Sequence, residues 1–173
     1  VKLRDIAKDE NLGSRYVDIC ACALEILQKI FKNSYDFPVD VEKLVSDLGI
    51  EVIYQPLNEK MNGDYSRVHK IVGRVLKRKN ILTEEQSQAI LIDEESNQAE
   101  QRYAMAHELA HCLIHHDEVA FSSEYRVMPM LFKDMEEMVA DVFAIFLLIP
   151  FPLFIKEFER YIGKSAVPLK TSE

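Results

Sequence analysis

The sequence has little cysteine, no excess of positive charge and no long unbroken apolar run, and each shortage closes off a class of reading. Three cysteines in 173 residues are few and odd in number, which does not suit a disulfide framework. Cys20 and Cys22 stand two apart in a helical pattern, so they point toward nearly opposite sides. Cys112 follows His111 by one residue, about 100° further round a helix. All three read as small buried hydrophobes in a reducing cytosol rather than as ligands. The formal net charge is -8 and the pI about 5.2. A phosphate backbone calls for a basic face, so direct nucleic-acid binding is not expected. The longest apolar stretch, Val142 to Ile155, is interrupted by Pro150 and Pro152 and is too short to span a bilayer. The opening residues Val1-Lys2-Leu3-Arg4-Asp5 mix charge with apolar groups and form no apolar h-region, so a secretory leader is not expected. Together these point to a cytoplasmic protein of one domain over residues 1–173, with no membrane and no direct nucleic-acid partner.

What is present is ordered by periodicity. Tyr16 to Phe31 carries apolar residues at helical spacing, with Ser14 as a candidate N-cap. A short helix over Asp40 to Leu48 is closed by Gly49, suited to a left-handed C-cap. Ile50 to Tyr54 alternates as a strand does, and Lys70 to Leu76 and Gln88 to Ile92 are two further strand candidates, with a turn at Asn62-Gly63. Asn97 with Glu100 resembles a capping box and opens a long helix from Gln98 to about His115. A loop of roughly fifteen residues is expected next, holding Ser122, Ser123, Tyr125 and Met128-Pro129-Met130. A helix from Lys133 to Leu148, stopped before Pro150, and an amphipathic helix from Leu153 to Tyr161 complete the pattern. The fold class is α+β: a small, mainly antiparallel sheet of about three strands packed on a long helix and several others. The region after residue 163 gives no clear signal.

The long helix carries His107-Glu108-Leu109-Ala110-His111. Residues four apart on a helix are neighbours, so His107 and His111 can bind one Zn²⁺ between them. Glu108, about 100° away, is placed to act as general base rather than as ligand. The bland alternative is a helix that happens to carry these residues. Against it, Tyr103, Ala104, Ala106, Leu109 and Ala110 mark the helix as core, where unpartnered histidines and a glutamate would be costly. A catalytic site needs a third protein ligand. The metzincin continuation would need glycine and histidine where this chain has Ile114 and Asp117, so that class fails. Glu137 on the later helix is the preferred third ligand, with Glu136 and Asp117 as alternatives. Asp141, four residues after Glu137, can accept a hydrogen bond from a ligating histidine and fix its tautomer. For a further oxyanion donor the candidates are His115, Tyr103, Tyr65, Tyr125 and Arg126.

These residues resemble a known family. Ala106 to His115, followed by Glu137-x-x-Ala140-Asp141-x-Phe143-Ala144 and then Leu147-Leu148-x-Pro150, is similar to the ImmA/IrrE metallopeptidases, as is the helix, Leu-Gly and strand of Val39 to Tyr54. The likeness covers roughly residues 15 to 155. It implies a zincin-like core of the gluzincin type, with zinc held by His107, His111 and Glu137 and with Glu108 as base. The family usually has glycine where this chain has Ala110 and often asparagine where it has Asp141. Its members often sit beside a helix-turn-helix repressor on mobile elements or in stress-response systems and cleave it, so the implied partner is a protein substrate of that kind. Two rival readings stand beside the peptidase: a zinc-containing regulatory module that binds such a repressor without cleaving it, and a purely structural metal site. The second is disfavoured because structural zinc usually has four protein ligands, often cysteines.

Overall fold

Asp40 and Gly49 show how locally the chain dictates its own elements. The Asp40 side chain accepts a hydrogen bond from the Lys43 N–H at 3.0 Å and opens helix α3, Val41–Asp47, as an N-cap aspartate does. At the other end Gly49 takes φ +78°. Its N–H donates to the Ser46 carbonyl while that of Ile50 donates to Val45. That is the Schellman closure expected of a C-terminal glycine.

In the computed structural model, residues 2–8, 15–32, 37–58, 70–79, 86–116, 121–126 and 134–165 are described. The other helices are α1 Leu3–Ala7, α2 Tyr16–Phe31, α4 Gln98–Ile114, α5 Met135–Leu148 and α6 Phe151–Ser165; the strands are β1 Glu51–Gln55, β2 Ile71–Lys79, β3 Gln86–Asp93 and β4 Phe121–Arg126. Helix α2 has the bounds its periodicity predicts. Arg15 stands at its N-cap position, while Ser14 lies outside the described residues, as do Asn62-Gly63 and Met128-Pro129-Met130.

The protein is α+β, but its sheet has four strands, in the order β1-β3-β2-β4, not the three expected. β1 pairs with β3 in parallel; β2 pairs antiparallel with β3 on one side and with β4 on the other. The extra strand is β4, in a segment read as loop. Its sequence, Phe-Ser-Ser-Glu-Tyr-Arg, is too polar to stand out as a strand. At the edge of a sheet it needs no apolar run, because hydrogen bonding to β2 and an Arg74–Glu124 ion pair hold it.

Helix α4 is the spine. It packs on β2, β3 and β4 and against α1, α3 and α5, and its residues 104–112 are all buried. Both ends are tied down. The Asn97 side chain accepts from the Glu100 N–H at 3.0 Å. At the far end the buried Lys77 of β2 donates to the carbonyls of His115 and His116, a cation where the helix dipole is negative. Helix α5 lies beside α4 and ends before Pro150, and α6 leaves the break bent by 43°. Among the described residues no single helix is long and apolar enough to cross a membrane.

Candidate metal centre

Three side chains from two helices meet beside α4. The His107 and His111 rings, one turn apart, have centroids 5.0 Å apart and Nε2 atoms 3.2 Å apart. Two imidazole nitrogens that close need a proton or a cation between them. Glu137 arrives from the first turn of α5, where Asp134 caps the helix by accepting from the Glu137 N–H at 2.9 Å. Its carboxylate straddles the pair, Oε2 at 3.3 Å from His107 Nε2 and Oε1 at 3.1 Å from His111 Nε2.

This donor triangle can be tested against a metal. Bonds of about 2.0–2.1 Å in a tetrahedral shell put neighbouring donors roughly 3.3–3.4 Å apart. The His107–His111 nitrogen separation is 3.2 Å, and the Glu137 oxygen facing each nitrogen lies at 3.3 Å (Oε2 to His107) and 3.1 Å (Oε1 to His111), all within a few tenths of an ångström of that spacing. The three residues form one of two groups that can hold a metal ion among the described residues. Two nitrogens and one carboxylate leave a coordination position open, as a catalytic site requires.

The surroundings set charge and orientation. His107 Nδ1 lies 3.0 Å from Asp141 Oδ1, which also accepts from the Tyr103 hydroxyl at 3.0 Å. With Nδ1 engaged, the His107 ring is fixed and Nε2 faces Glu137. The Tyr125 ring packs on it at 4.7 Å. Burial favours neutral His107, yet the hydrogen-bonded carboxylates of Asp141 and Glu137, with the Glu108 charge, raise its pKa above the ordinary value. Burial likewise works to raise Glu137, but hydrogen bonds from His107 and His111 outweigh it and hold this carboxyl well below its usual range. Two carboxylates in contact with one imidazole favour a positive charge at that point. Burial, with the Asp141 charge and hydrogen bond, pushes the Tyr103 phenol up, and burial with the nearby acids brings Tyr125 to about 12. Both phenols stay neutral at physiological pH.

Glu108 turns to the sheet side of the same helix and is fully buried. Its carboxylate accepts from the Ser123 hydroxyl and from the Tyr125 backbone N–H, the latter at 2.6 Å. Burial raises its pKa, opposed by His107, Ser123, His111 and the Tyr125 N–H in that order. Gly73 makes this packing possible: a Cβ there would sit 3.1 Å from both Glu108 Cγ and Ala104 Cβ. Sequence reasoning missed Ser123, the Tyr125 N–H and Gly73. A signal for the last was present, since a lone glycine inside a β-branched strand marks a close approach.

Other candidates fall differently. Glu136 does not join the inner triangle; its Oε2 lies 3.1 Å from His115 Nε2. Tyr103 supports Asp141. Tyr65 and Asp117 lie outside the described residues, as does the side chain of Arg126. A cavity of about 480 Å³ is lined in part by Cys112, Leu113 and His116 and not by His107, His111 or Glu137.

With this geometry in place, the comparison with known families is decisive. The model of peptidase family M78, described as the IrrE N-terminal-like domain, matches residues 45–171. The chain belongs to this family. The match begins later than the likeness read from sequence and runs further, leaving α2 outside and taking in α6. It contains His107, Glu108, His111, Glu137 and Asp141, so the candidate metal centre lies within the IrrE N-terminal-like domain of a metallopeptidase family. No curated protein matches the chain.

Proposed function

We propose that this IrrE N-terminal-like protein is a cytoplasmic, zinc-dependent endopeptidase with a gluzincin-type, zincin-like core, acting on a regulatory protein of the helix-turn-helix repressor kind. The donor triangle of His107, His111 and Glu137 carries the reading. Its His₂Glu composition and the 3.1 to 3.3 Å approach of the facing donor atoms suit zinc with one position left open. When bound, zinc lowers the pKa of a water toward about 7 and polarises the scissile carbonyl.

The rest falls to side chains. Glu108 takes a proton from the attacking water and passes it to the leaving amine, a role favoured by a carboxyl whose pKa burial has raised. Ser123 and the Tyr125 N–H fix its orientation. Asp141, braced by Tyr103, holds the His107 ring. The formal charge of -8 suits docking to a basic DNA-binding protein, and the resemblance to repressor-cleaving peptidases points the same way.

The rival, a module that binds the repressor without cleaving it, draws on one observation: both Glu108 oxygens already accept bonds from β4. A carboxylate has roughly four acceptor positions, so two remain for a water. Mixing protein and repressor separates the readings, since fragments mean peptidase and an intact stable complex means module. Glu108→Gln is expected to retain zinc and lose about 10²–10⁴-fold in turnover. Undiminished cleavage by the purified variant would refute the base role.

A further inference from the structure

Among the described residues a group of two histidines and one glutamate occurs twice. Beside His107, His111 and Glu137 stands a second group, His111, His115 and Glu136, whose donor atoms also lie within 4.8 Å of one another. The repetition follows from helical spacing. Histidines at 107, 111 and 115 step up α4 one turn at a time, while adjacent Glu137 and Glu136 on α5 each face one step. His115 Nε2 lies 3.1 Å from Glu136 Oε2, close to the spacing of donors on one cation. The His115 ring stacks over that of His111, 15° from parallel with centroids 6.2 Å apart.

We infer that His111, His115 and Glu136 form a second, outer divalent-cation site that shares His111 with the inner one. Two features make it the weaker of the two. Its side chains are more exposed, 12% for His115 and 45% for Glu136, against a fully buried His107 in the inner set. The inner set also has Asp141 and Tyr103 behind it, and support of that kind is worth about 10–100-fold in metal affinity. The Lys77 ammonium at the His115 carbonyl adds a like charge close to the outer position, which lowers affinity further.

The inference extends the zinc reading and is tested apart from it. His107→Ala/Glu137→Ala in the full chain removes two inner ligands and leaves the outer three intact. Equilibrium dialysis against zinc with elemental analysis, on protein shown folded by circular dichroism, should find one zinc per chain. Its affinity should be about 10–100-fold below that of the Glu136→Gln single variant. Adding Glu136→Gln or His115→Ala to the double variant should abolish binding. A folded double variant without zinc, or a triple variant binding as well as the double, would overturn the outer site. Should the double variant not fold, Glu137→Ala is compared with Glu137→Ala/Glu136→Gln: zinc kept by the first and lost by the second supports the site, and equal zinc in both overturns it. Absence of zinc from the Glu136→Gln single variant would instead contradict the inner triangle.

Discussion

Helices α4 and α6 are of similar length and break the inside–outside rule in opposite directions. Helix α4 buries His107, Glu108 and His111 in a core built of Ala104, Leu109 and Ala110. Helix α6 leaves Phe151, Phe154, Phe158, Tyr161 and Ile162 exposed. The two departures do not carry equal information. An exposed apolar side chain costs the folded chain little, and much of any protein surface is apolar. A buried polar group left without a partner costs about 1–3 kcal/mol, and more if charged. Each polar group on α4 therefore needs a partner, and each has one: His107 with Asp141 and Glu137, His111 with Glu137, Glu108 with Ser123 and the Tyr125 N–H. The convergence of such groups marks the candidate centre. Asp93 marks the opposite limit: it is as buried as they are, but its partners are the Ser96 hydroxyl at 2.6 Å, the Leu57 N–H at 3.2 Å and the Lys70 ammonium at 3.7 Å, a charge-balanced structural set with no histidine in it.

Three substitutions sharpen this contrast, all read as shifts in urea denaturation. Phe143 of α5 is fully buried, and Phe143→Ala should cost about 3–5 kcal/mol. A cost under roughly 1 kcal/mol would mean that α5 is not packed as described. Gly73→Ala comes next. The added methyl would meet Ala104 Cβ and Glu108 Cγ at 3.1 Å, and the helix backbone cannot easily retreat, so a loss of about 1–3 kcal/mol is expected. A stabilised variant would show that α4 does not press on β2 at that point. The smallest effect belongs to α6, where Phe158→Ala should change stability by no more than about 0.5 kcal/mol. A loss as large as that of Phe143→Ala would place the α6 aromatics in a core.

Much of the fold could be read from residues in advance, and the reasons are physical. Helix α2 is long and its apolar residues recur with the helical period, so its ends emerge from the sequence alone. Asp40, Gly49 and Asn97 act through bonds to residues three to five positions away, which makes their roles local and legible. The inner histidines and Glu108 are legible for the same reason, being set by a single helical turn. What remained hidden depends on contacts across the fold. Strand β4 is polar and gains its structure from β2. Ser123 and the Tyr125 N–H reach Glu108 from 15 and 17 residues away. Lys77 looks like a solvated strand lysine until the end of α4 is seen to lie over it. The sequence prefers Glu137 to Glu136 as third ligand but leaves Glu136 open, because adjacent positions differ only in which way the helix is turned.

Diffraction at the zinc absorption edge from crystals of the protein loaded with one equivalent of zinc is the most direct check. The account predicts a single anomalous peak bounded by His107 Nε2, His111 Nε2 and the Glu137 carboxylate. A peak elsewhere, or Glu137 turned away from the two imidazoles with zinc bound, would contradict it.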